Sequence, residues 1–165
     1  GTEERVPRFS DALDILAAAH VPVIVEVKAS PDHRRGELCR KVLEIIDAHT
    51  GNFCVESFDP FIVAWFRFHA KDLLRGQLAQ PTRFYDAESL SAPLAFALGH
   101  TLFNCVARPQ FIAYKIGPKP LSVRLCEAMG AVRAGWTSRA WTHERDYDIV
   151  IFEYYRPGAW FRADI

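Results

Sequence analysis

The chain has no surplus of charge: 20 Lys and Arg residues balance 20 Asp and Glu residues. That balance gives no overall field to gather nucleic acid or an anionic membrane, so neither is expected as a partner. Cysteine is sparse, and Cys39, Cys54, Cys105 and Cys126 are widely spaced without a Cys-x-x-Cys pair. The spacing argues against a disulfide frame or a zinc site and predicts reduced, mostly buried thiols in a cytoplasmic protein. No apolar run approaches the roughly 18 residues of a membrane span, and the first residues lack the charged-then-apolar order of a signal peptide. Repeats, low-complexity tracts and a convincing linker are also missing. What is present, 165 residues of which 50% are hydrophobic and 13% aromatic, predicts a single globular domain over residues 1–165 with a substantial core.

The most informative segment is Val23-Ile24-Val25-Glu26-Val27-Lys28. Strand side chains alternate faces, so Glu26 and Lys28 point one way while Val25 and Val27 point the other. A strand this apolar is expected to be buried on both sides. Burying an acid and a base there is costly unless they are paired, hydrogen-bonded or bound to a metal. The segment is thus a candidate site, with a structural ion pair as the competing reading.

Apolar runs and amphipathic stretches alternate from end to end. Ser10 is placed to cap a helix from Asp11, with Phe9, Leu13 and Leu16 on its apolar stripe. A strand over 23–28 follows. Leu38, Val42, Ile45, Ile46 and His49 recur at helical steps over 35–49, with Glu37 four residues before Lys41. Residues 52–58 predict a strand, Asp59-Pro60 a helix start carrying Ile62, Trp65, Phe66, His69 and Leu73, and 75–79 a weak strand. Further helices are expected over 92–102 and 120–129 and a short one over 142–147, with strands over 110–116, 131–137 and 148–153. The expected total is six strands.

Strands alternating with helices form parallel sheets. A doubly wound sheet usually announces a Gly-rich phosphate turn after its first strand, and Lys28-Ala29-Ser30-Pro31 is not one. A closed (β/α) barrel needs eight strands and about 250 residues, so six strands leave an open edge.

Taken together and in order, Glu26-Val27-Lys28, Ser57-Phe58-Asp59-Pro60, Arg75-Gly76-Gln77-Leu78, Arg108-Pro109-Gln110-Phe111-Ile112-Ala113-Tyr114 and Gly135-Trp136-Thr137-Ser138-Arg139 resemble the glycerophosphodiester phosphodiesterase family. The resemblance runs from the helix before Glu26 to the end of the chain. It implies an incomplete TIM-type (β/α) barrel of about six βα units, corresponding to the family's third to eighth strands and lacking its first two. It implies a divalent cation, Ca²⁺ or Mg²⁺, bound by Glu26, and a catalytic Lys28 in contact with the phosphate. Trp136 would be a wall of the substrate pocket and Phe58 a neighbouring substrate contact; both also read as ordinary core aromatics.

The family's first strand carries His-Arg-Gly, its second Glu-x-Asp, and the hairpin after that a His-Asp. Nothing ahead of Glu26 carries them. Those histidines are the expected acid and base, so the resemblance implies a hydrolase whose activity needs the N-terminal part. With it, a glycerophosphodiester substrate would give glycerol 3-phosphate and an alcohol. The alternatives are a related lysophospholipid phosphodiesterase and a noncatalytic partial barrel that pairs with another chain or itself across the open edge. Asp59 reads as a helix cap, Arg139 as an exposed loop arginine or a partner of Glu153, and none of the six histidines as a base.

Overall fold

The computed structural model describes residues 5–29, 34–86 and 90–158. Six strands form one sheet: β1 (Val23–Glu26), β2 (Phe53–Ser57), β3 (Leu74–Ala79), β4 (Phe111–Lys115), β5 (Val132–Ser138) and β6 (Ile149–Phe152). Every neighbouring pair is parallel and the strand order follows the chain order. A doubly wound sheet would reverse its order at a switch point. The order is sequential, the helices pack on one face and the sheet curls, the geometry of an incomplete TIM-type barrel of six βα units.

The helices are α1 (Phe9–Ala18), α2 (Arg35–Asp47), α3 (Pro60–His69), α4 (Ala92–Gly99), α5 (Asn104–Ala107) and α6 (Leu121–Ala128). Short 3-10 turns follow β3 at Thr82–Phe84 and β5 at Trp141–Arg145. On the covered face, Val27 and Val55 pack with Leu13, Cys39, Ile46, Ile62 and Phe66. Farther along that face Ala79, Ile112 and Tyr114 pack on Val123 of α6. The concave face carries a separate cluster of Leu78, Phe111, Ala113 and Ala134, joined by Ile24, Cys54, Phe58, Trp136 and Ile149. Even-numbered positions of β1 and β2 therefore face the barrel interior.

Three expectations need correction. Ser10 does not cap α1: the helix begins at Phe9, whose ring packs into the core, and the Ser10 hydroxyl bonds Asp11 within the first turn. The helix after residue 92 stops at Gly99. There the Tyr114 hydroxyl donates to the Gly99 carbonyl and the Ser122 hydroxyl to that of His100, so side-chain donors take acceptors that a longer helix would have used. β1 is not buried on both faces. It is an edge strand, with Val23, Ile24 and Val25 half-buried and Glu26 exposed, because nothing pairs with its outer side among the described residues.

The thiols are free, with Cys39 buried, Cys54 and Cys126 half-buried and Cys105 exposed. Burial pushes the Cys39 and Cys54 thiols up to about 11. Among the described residues no helix is long and apolar enough to cross a membrane.

Gly76 is required where β3 meets β4. A Cβ there would lie 2.0 Å from the Phe111 ring. Gly76→Ala is expected to cost about 1–3 kcal/mol through overpacking, read as a lower urea midpoint; an unchanged midpoint would contradict this packing. At the far edge, Arg133 binds both carboxylate oxygens of Asp148, at 2.8 Å and 3.1 Å, and holds that carboxyl down to about 2 from 3.8. A depressed carboxyl stabilises the fold above its unfolded value and loses that contribution as pH falls through its folded one. Stability of Asp148→Asn should therefore fall less than wild type between pH 4 and pH 2. The pair is half exposed, so the difference should be small; a steeper acid loss in the variant would reverse the assignment.

Candidate active site

Parallel strands bring their C-terminal ends to one rim, where side chains from several strands converge. β1 ends there with Glu26, and Val27 continues the ladder by donating its N–H to the Glu56 carbonyl at 2.8 Å. Lys28 lies just past the strand. Its Nζ is 3.4 Å from Glu26 Oε1, with the two side chains 75% and 34% exposed. The expected pair thus forms, but at a solvent-reachable rim rather than in a dry interior.

Polar side chains on the opposite face fix this rim. The Ser57 hydroxyl donates to the Val27 carbonyl at 2.6 Å and accepts from the Asp59 N–H at 3.1 Å. Gln77 Nε2 donates to the carbonyls of Ser57, at 3.0 Å, and Phe58, at 3.3 Å. Asp59 then caps α3 by accepting from the Phe61 N–H and pairs with Arg35 at 2.5 Å. One hydroxyl and one amide set where the chain leaves β1 and β2, and with that the places of Lys28 and Phe58.

Phe58 meets Trp136 edge to face, with ring centroids 5.5 Å apart. The Trp136 indole N–H donates to the Ala113 carbonyl at 2.9 Å, which locks the ring across the mouth. The two sequence-predicted aromatics are therefore in contact. Phe58 also lines a cavity of about 420 Å³ whose wall includes Tyr85, Leu94, Leu98 and Phe103. Arg139 and Glu153 pair loosely on the exposed rim at 3.5 Å.

Two residues at this end escaped the sequence reading. Lys115 closes β4 with its ammonium 4.8 Å from the centre of the Trp136 ring and 5.0 Å from that of Phe84. Glu56 is the in-register neighbour of Glu26 on one side and of Gly76 on the other. It is only 6% exposed, and its Oε2 has no hydrogen-bond partner among the described residues. Burial, helped by the Glu26 charge, pushes its carboxyl up to about 7. The signal was half of the one that marked Glu26: an acid in an apolar strand, here in Phe53-Cys54-Val55-Glu56 and without a base two residues away. Among the described residues no group of three or more His, Cys, Asp or Glu side chains is placed to hold a metal ion.

No family model and no curated protein matches the sequence. A solved structure does: the "Putative glycerophosphoryl diester phosphodiesterase" of Silicibacter pomeroyi DSS-3, with a TM-score of 0.67 and 23% identity. The chain shares the fold of the part of that protein it matches. The match covers 92% of this chain and 54% of the other, so the chain spans about half the length of that protein.

The raised Glu56 carboxyl has a defined sign in stability. Between 4.5 and about 7 the folded state keeps a proton that the unfolded chain has released, so this group favours folding at low pH and the effect is lost as pH rises through 7. Glu56→Gln, without metal, is expected to be close to wild type at pH 4 and more stable by roughly 3 kcal/mol at pH 8. Equal stability at both pH values in chemical denaturation would show that Glu56 is not strained by its burial.

Proposed function

We propose that the chain is the C-terminal part of a metal-assisted glycerophosphodiester phosphodiesterase, one unit over residues 1–165 corresponding to the third to eighth strands of the barrel. The observation that carries this reading is the rim itself. A carboxylate and an ammonium lie 3.4 Å apart at the open mouth, beside a Phe58–Trp136 wall, on a fold shared with a protein named for that activity.

The residues fit their proposed roles. Glu26 offers a hard oxygen donor that solvent can reach, as Ca²⁺ or Mg²⁺ prefers. When bound, the cation would supply charge neutralisation at the phosphoryl oxygens. Lys28, 75% exposed on its side chain, can turn from Glu26 to a phosphate without leaving a buried charge unpaired. Trp136 and Phe58 would hold the organic part of the diester against an apolar wall. Cleavage to glycerol 3-phosphate and an alcohol also needs a base for the attacking hydroxyl and an acid for the leaving one. These would come from two preceding βα units bearing His-Arg-Gly and Glu-x-Asp. This chain by itself is then a weak cation binder without turnover.

A lysophospholipid substrate is the second reading, favoured by the apolar cavity that Phe58 shares with Leu94, Leu98 and Phe103. A long alkyl group would find its surface there.

The test uses the intact parent protein with glycerophosphocholine and lysophosphatidylcholine, each with and without Ca²⁺ or Mg²⁺. Glu26→Gln should lower metal-dependent turnover at least 100-fold with the thermal midpoint little changed. Unchanged turnover removes the assignment of Glu26, and a parent reading frame without the two upstream motifs removes the hydrolase reading.

A further inference from the structure

Among the described residues, Glu56 is a buried carboxylate that the packing around it does not satisfy. Carboxylates are almost never this buried unless paired, and an unpartnered buried oxygen is costly. Glu56 is 6% exposed, its Oε2 has no hydrogen-bond partner among the described residues, and the ammonium of Lys28 at the rim is paired with Glu26 Oε1. A second carboxylate next door makes matters worse. Glu26 is its Cα partner in the parallel ladder, and neighbouring strands lie about 4.8 Å apart. Both residues are at even-numbered positions, on the concave face with Ile24 and Cys54. On the other flank Gly76 has no side chain and the Phe111 ring fills its place, so no donor reaches Glu56 from β3. Two like charges side by side, one of them with an orphan oxygen, are what a divalent cation resolves: it neutralises both and takes oxygen atoms as ligands.

We propose that Glu56 is a second carboxylate ligand of the divalent cation, which Glu26 and Glu56 would hold jointly from adjacent strands. This rests on the reading that a cation binds at Glu26, and adds to it a ligand from β2. The pair is of unlike accessibility. Glu26, at the edge and 34% exposed, can meet the ion in solvent, whereas Glu56 would anchor it against the concave face. Two carboxylates leave most of the six to eight oxygen positions of Ca²⁺ open to water, phosphate or other side chains.

The experiment measures the chain's binding of Ca²⁺ and Mg²⁺ by calorimetry at pH 8, and of Tb³⁺ by luminescence lifetimes in H₂O and D₂O, which count the waters on the ion. Glu56→Gln and Glu26→Gln should each weaken Ca²⁺ binding at least tenfold and raise the Tb³⁺ water count by about one. Glu56→Asp, which keeps the charge on a shorter stem, should retain part of the affinity. A Glu56→Gln protein that binds Ca²⁺ within twofold of wild type, or whose weaker binding leaves the water count unchanged, overturns the assignment of Glu56 alone. Loss of binding in Glu56→Gln but not in Glu26→Gln would keep Glu56 and overturn the Glu26 reading. No binding by wild type at millimolar Ca²⁺, Mg²⁺ or Tb³⁺ overturns both.

Discussion

Parallel pairing of β1 with β2, Glu26 directly against Glu56, is the constraint on which the site depends. Side-chain period is two, so a slip of one residue in either strand would turn its acid into the helical layer and put a valine in the barrel mouth. The covered face prevents that slip, since Val25, Val27 and Val55 are seated among Leu13, Cys39, Ile46 and Phe66. The apolar packing of one face therefore fixes two carboxylates on the other. Core and site are opposite sides of the same register.

The rim is held by side chains that do not enter it. Ser57 and Gln77 are buried on the covered side, yet they bind the carbonyls of Val27, Ser57 and Phe58, where β1 and β2 pass into their loops. The Ser57 hydroxyl and the Gln77 amide N–H are donors that burial obliges to find partners, and the free carbonyls at parallel strand ends supply them. The same need for satisfaction ends α4 at Gly99, where Tyr114 takes the carbonyl. Gln77 Oε1 is left without a partner on the covered side, and Glu56 stands out among the described residues as a carboxylate on the concave face that combines burial with an unpartnered oxygen.

Most of the fold was legible in the sequence because its signals were local. Short apolar runs gave the strands, β3 only weakly, and three- and four-residue apolar steps gave α2 and α3, where Asp59-Pro60 behaves as the expected cap and first turn. Glu37 and Lys41 pair as their spacing implied. The misses depended on partners far along the chain. Ser10 looked like a cap until Phe9 was drawn into the core, and residues 100–102 looked helical until Tyr114 and Ser122 took the preceding carbonyls. In the site, Glu26 and Lys28 were visible as a pair within one strand, and the family resemblance implied that Trp136 and Phe58 lie near one another in a pocket, though not that their rings touch. Glu56 and Lys115 each sit singly on a strand, and their importance comes from what the neighbouring strand places beside them: Glu26 in one case, Trp136 in the other.

The central claim is that a divalent cation belongs at the mouth of this curled sheet, on the carboxylates of β1 and β2. A crystal of the protein soaked in Mn²⁺ and measured for anomalous scattering tests it most directly. The account predicts a peak within about 2.5 Å of a carboxylate oxygen of Glu26 and of Glu56. A mouth without a peak, while Mn²⁺ appears elsewhere on the molecule, would contradict it.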